Sequence, residues 1–150
     1  MQLTEAIRRH ISLLSDTLLF SEAEKFVQTF LHENDPISAA QLNGLENLFS
    51  VTERMSDIND YIRHQHDKAS GNADPNRRNK DFYVARFYEA LEKKLKELET
   101  YIKEHSDDFP VPDDASKKIQ REYVRMYQFY VTKEFIQHLV ADHQFRARQG

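Results

Sequence analysis

The sequence contains no cysteine and no tryptophan, and only three glycines and four prolines in 150 residues. Without cysteine there is no disulfide, no thiolate nucleophile and no cysteine-based zinc site. Such usage fits a reducing compartment. Scarce glycine together with 31% charged residues argues against strands joined by tight turns and in favour of helices. No apolar run approaches the roughly 18 residues of a membrane span. The opening stretch MQLTEAIRRHISLL carries Glu5, Arg8, Arg9 and His10 within its apolar pattern. It reads as an amphipathic helix and not as a secretory leader. The expectation is one soluble, cytoplasmic domain with no membrane partner, long enough to bury a core.

Apolar spacing predicts an all-α bundle of about five to six helices, the two longest being the last two. Leu3, Ile7, Ile11 and Leu14 make a stripe over about 3–14, which Ser15 and Asp16 interrupt. Ser21 and Glu24 have the spacing of a capping box, and a second helix follows to about His32. Ser38 and Gln41 repeat that spacing ahead of Leu42, Leu45, Leu48 and Phe49, so a third helix runs from Ser38 to about Phe49. Thr52 or Ser56 restarts the chain into a fourth helix, with Ile58, Tyr61 and Ile62 inward. SGNADPNRRNK, about 70–80, crowds turn residues together and predicts a mobile loop. The fifth helix runs from about Asp81 to Glu104, where Val84, Tyr88, Leu91, Leu95, Leu98 and Ile102 form an unbroken seam. A proline-containing loop at about 105–114 leads to an aromatic-rich sixth helix from about Ala115 to Phe145.

Catalytic chemistry has little to stand on. There is no nucleophile elbow and no glycine-rich phosphate loop. Asp107-Asp108 and Asp113-Asp114 read as helix caps and turn residues. His64 and His66 diverge on a helix, and His138 and His143 are five apart where a helical zinc pair needs four. His66-Asp67 resembles the His-Asp pair of helical metal-dependent phosphohydrolases, a class that needs an additional His and a distant Asp, for which His10, His32 and Asp142 are candidates. The expectation is a non-enzyme with no metal and no cofactor.

Charge is uneven along the chain. Residues 1–60 hold four basic and ten acidic side chains, a balance of −6, whereas 61–96 hold nine basic and five acidic, a balance of +4. Lys118, Arg121 and Arg125 are three and four apart and form one stripe early in the sixth helix, with Lys117 beside it. Arg77, Arg78 and Lys80 add charge in the 70–80 loop, flanked by Arg63, Lys68 and Arg86. Scattered Arg and Lys of this kind bind phosphate backbones. Tyr123 and Tyr127 interleave with the stripe and are candidates for base stacking or for the core. Lys93 and Lys96 follow Glu89 and Glu92 by four residues and read as helix ion pairs.

The order of these pieces resembles the small helical subunit of Csm-type (type III) CRISPR effector complexes. Ala23-Glu24-Lys25 precedes Ile37-Ser38-Ala39-Ala40-Gln41-Leu42-Asn43, similar to the family's Ala-Glu-Lys helix and its Ile/Leu-Thr-Thr-Ser-Gln-Ile-Arg opening. Arg77-Arg78 precede DFYVARFYEALEKKL as an Arg-bearing loop precedes a long helix in the family. Phe135, Leu139-Val140-Ala141-Asp142-His143-Gln144-Phe145 and Arg146 resemble its C-terminus. The family's Arg falls here on Asn43, and its Tyr and Lys fall on Asp142 and Gln144. The resemblance implies a non-catalytic antiviral-defence subunit that stacks with copies of itself and with other effector subunits. It would contact guide and target RNA through phosphates, without reading sequence. On the resemblance, Gln41, Asn43, Arg77, Arg78 and His143 are the expected RNA contacts; the basic spacing read above adds Lys80, Lys118, Arg121 and Arg125. The alternative from the residues alone is a helical adaptor or homo-oligomer without nucleic acid.

Overall fold

Ser15 and Asp16 do not interrupt the first helix. The structure, a computed structural model, describes residues 3–30, 37–71 and 78–149. Thr4 caps α1 (Glu5–Leu14), its Oγ1 accepting from Ile7 N–H at 3.2 Å. The chain then passes through a π-helical segment, Ser15–Leu19, into α2 (Phe20–Phe30) without leaving helical geometry. The reason lies in the spacing of the buried positions. Ile7, Ile11, Ser15, Leu19, Ala23 and Val27 are all buried and recur every four residues. An α-helix has 3.6 residues per turn, so a four-residue repeat drifts off its face by about 40° per step. The wider π turn resets the stripe. With no glycine or proline nearby, nothing ends the helix. Ser21 therefore lies within a continuing helix, and the capping box expected at Ser21–Glu24 does not form.

The second capping box does form. Ser38 Oγ accepts from Gln41 N–H at 3.1 Å, and Gln41 Oε1 accepts from Ser38 N–H at 2.9 Å. Helix α3 (Ala39–Val51) follows and buries Leu42, Leu45 and Phe49. Thr52 organises the next start. Its Oγ1 accepts from Arg54 N–H at 3.1 Å and donates to Asp57 Oδ2 at 2.6 Å. That bond and the Arg54 guanidinium hold the Asp57 carboxyl below the usual aspartate range. Helix α4 (Met55–Ser70) buries Ile58 and Ile62, with Tyr61 half-buried.

The 70–80 loop is shorter than its composition suggests. Ser70 is the last residue of α4 and Arg78 the first of α5 (Arg78–Glu104), so Arg78 and Lys80 belong to a helical first turn. Residues 72–77 of that loop, Arg77 included, lie outside the described residues, as does His32 at the expected end of the second helix. Helices α4 and α5 pack as a hairpin, tied by Arg63 and Glu92 at 3.4 Å. The α5 seam is buried at every expected position, from Val84 to Ile102. Tyr88 is 1% exposed and its hydroxyl has no hydrogen-bond partner among the described residues. Burial pushes its phenol well above the usual tyrosine range, with Tyr61 adding to the shift.

A 3₁₀ turn (Ser106–Asp108) and a proline-containing stretch connect α5 to α6 (Lys117–Gln149). The cap of α6 is Ser116 rather than an aspartate, its Oγ accepting from Ile119 N–H at 3.3 Å. The helix starts two residues later than expected and runs beyond Phe145. Tyr127 is fully buried and donates to Pro110 O at 2.7 Å, and its ring meets Phe109, which in turn meets His10. This ties the connection down and places Tyr127 in the core. The fold is an all-α bundle, and no strand occurs among the described residues.

The directions of α5 and α6 follow from one ring. Phe26 packs edge-on against Phe87 of α5 at 5.8 Å and Phe135 of α6 at 6.1 Å, so those residues share a level. From that level α5 extends about 25 Å to its end, and α6 reaches back about 27 Å to its start. In a parallel arrangement residues 105–116 would have to bridge about 52 Å, more than the roughly 45 Å of a fully extended segment. The two helices are therefore antiparallel.

Candidate nucleic-acid interface

Antiparallel packing sorts the candidate residues into two groups. Arg78 lies about 13 Å from the Phe26 level along α5, and His143 about 12 Å from it along α6, towards the same end of the bundle. Asn43 joins them, because its Oδ1 accepts from Gln144 Nε2 at 3.2 Å. Segments 37–43 and 139–146 and the start of α5 at Arg78 thus flank one end. Lys118 lies about 25 Å from the Phe26 level in the opposite direction. The two basic groups are separated by roughly 40 Å and do not form one patch.

Lys118, Arg121 and Arg125 are all exposed on the first turns of α6. Arg121 Nε donates to Lys117 O at 3.3 Å, and among the described residues none of the three pairs with a carboxylate. Arg121 and Lys117 border an open groove of about 670 Å³ whose other wall includes Asp107, Phe109 and Asp113. Charge in that groove is mixed, while Lys118 and Arg125 lie outside it.

At the other end the picture differs by residue. The carbonyl of Gln41 is taken by Ser38, which leaves its NH2 group as a donor. Asn43 is exposed and likewise keeps its NH2 group for a partner. His143 is only 5% exposed, so its side chain presents little surface to a phosphate. Arg146 holds Asp142 at 2.8 Å.

Several features of the structure are not marked by the apolar and charge patterns. Phe82 and Tyr83 fall off the α5 seam and are exposed, and Arg86 is exposed beside them. Of the two expected pairs, Lys96 meets Glu92 at 3.6 Å, but no Glu89–Lys93 pair forms among the described residues. Glu22 of α2 instead pairs with Lys94, which holds the Glu22 carboxyl below its ordinary range. Ser15 Oγ donates to Glu134 Oε2 at 3.0 Å and lies 2.6 Å from His138 Nε2, a polar chain between the π segment and α6. The i,i+4 spacing of Glu134 and His138 was its only trace in the sequence. For metal chemistry, His66 Nδ1 meets Asp67 at 3.2 Å, and among the described residues no three His, Asp or Glu side chains converge. No described helix is long and apolar enough to cross a membrane.

Comparison of the chain with protein-family models, with curated protein sequences and with solved structures finds no match in any of the three.

Proposed function

We propose that the chain is a non-catalytic, RNA-associated helical subunit of the kind found in type III CRISPR effectors. It would act in the cytoplasm beside other effector subunits and copies of itself. The observation that carries this reading is the Lys118–Arg121–Arg125 stripe, exposed and free of carboxylate partners among the described residues. Cations left unpaired on one helical face release counterions when they meet phosphates, which gives affinity without sequence preference. The convergence of segments 37–43 and 139–146 with the start of α5 at one end of the bundle adds support.

The triple variant K118A/R121A/R125A tests this. Its affinity for single-stranded RNA should fall. The slope of log K against log salt should become shallower by about 2, three lost phosphate contacts at about 0.7 each. Unchanged affinity and slope would make the stripe an ordinary solvated face.

The adaptor reading draws on a different observation. Leu13 and Phe20 are 60% and 52% exposed and lie two turns apart on the first helical rod. A second copy docking there would bury both, and sedimentation equilibrium of the wild type against L13E/F20E would reveal it.

A further inference from the structure

We propose that Phe82 and Tyr83, with Arg86 and the groove beside it, form a stacking platform for the bases of single-stranded RNA. This rests on the RNA reading above and names a second, chemically different contact. The α5 seam buries Val84, Phe87, Tyr88 and Leu91, leaving Phe82 and Tyr83 off the packed face. Phe82 is 61% exposed and Tyr83 36% exposed. Their rings meet edge-on, centroids 5.5 Å apart at 78°, so each props the other while its outer surface stays in water. The two adjacent rings present a small aromatic surface on the outer side of α5.

Charge indicates which occupant. The groove beside the rings is lined by Arg86, Lys93 and Lys96 against Glu89 and Glu92. Arg86 is three and four residues beyond the rings, hence on their side of the helix. It is exposed and has no carboxylate partner among the described residues. Beyond it, a groove of about 520 Å³ continues along α5, lined by Phe30, Arg86, Glu89, Lys93 and Lys96, with Glu92. Arg63 and Lys96 both hold Glu92, at 3.4 and 3.6 Å, so the positive charge of Arg86 and Lys93 is opposed mainly by Glu89. Aromatic faces flanked by surplus cations match a strand of bases on a phosphate backbone: rings take bases, and Arg86 and Lys93 take phosphates. Such stacking tolerates any base.

The absence of tryptophan supplies the test. Phe82→Trp makes the full chain a single-tryptophan protein, and Phe82 is exposed enough for the change to leave the core alone. A 15-nucleotide oligouridylate should quench its emission, whereas heparin, a polyanion without bases, should not. F82A/Y83A should bind the labelled oligonucleotide at least about fivefold more weakly, with unchanged helical circular dichroism. Its salt slope should equal that of the wild type, because no cation is lost. Oligonucleotide binding without quenching, and at wild-type affinity in F82A/Y83A, would overturn the platform while leaving the RNA reading standing. No binding by any variant or by the wild type would overturn both. A tryptophan emission that shifts with protein concentration in the absence of RNA would mean that a second copy covers the rings, and would also overturn the platform.

Discussion

Phe135→Ala should lower the unfolding free energy by about 3–5 kcal/mol, the usual range for emptying a buried aromatic site. Phe135 is fully buried on α6, and its ring meets Phe26, which also meets Phe87. Removing it opens a cavity where α2, α5 and α6 converge, and the rigid neighbours on three helices cannot collapse into it. Since domains of this size have about 5–15 kcal/mol of total stability, the variant should be partly unfolded near physiological temperature. Urea titration followed by circular dichroism reads the loss as a lower midpoint at unchanged slope. A cost below about 1 kcal/mol would mean that the three helices do not share this junction.

The second large effect is expected at an exposed residue. Asp16 lies on the surface of the π-helical segment. Asp16→Pro removes a backbone donor inside a continuous helical rod and sets its ring against the preceding turn, which costs about 3 kcal/mol or more. Asp16→Ala, which keeps the backbone intact, should stay within about 0.5 kcal/mol of the wild type. The comparison is sharp because a chain break at Ser15–Asp16 would accept proline with little loss. Thermal melts of the two variants side by side decide between a rod and a break, and a proline variant as stable as the alanine one would contradict the rod.

That rod shows where the sequence is legible and where it misleads. The α5 seam and the Ser38–Gln41 box could be read directly, because both depend on residues within a few positions of one another. The π segment could not be read from Ser15 and Asp16 taken as polar breakers. The partners that satisfy the Ser15 hydroxyl inside the bundle, Glu134 and His138, lie far along the chain. The signal that was present is the strict four-residue recurrence from Ile7 to Val27, which no straight α-helix keeps on one face. The start of α5 at Arg78, ahead of the expected Asp81, has a related reason. Arg78 and Lys80 fit equally well in a loop or a first helical turn, and composition does not separate the two.

The candidate interface divides along the same line. The exposure of Lys118, Arg121 and Arg125 follows from their i,i+3 and i,i+7 spacing, opposite a face that includes buried Tyr127. Their separation from Arg78 and Lys80 depends on the antiparallel course of α5 and α6, a tertiary fact that local pattern does not carry. The burial of His143 likewise arises from the depth to which the end of α6 packs. Phe82 and Tyr83 were masked by their neighbours, since an aromatic beside an apolar seam looks like part of it until the face is resolved.

The proposed function requires that RNA accompany this chain in the cell. The most direct measurement is a gentle affinity purification of the tagged protein from its own host, followed by extraction and sequencing of any bound RNA. A set of short RNAs sharing a repeat-derived 5′ end, together with larger protein subunits, is expected. Protein free of RNA, or accompanied only by an unrelated protein partner, would contradict it.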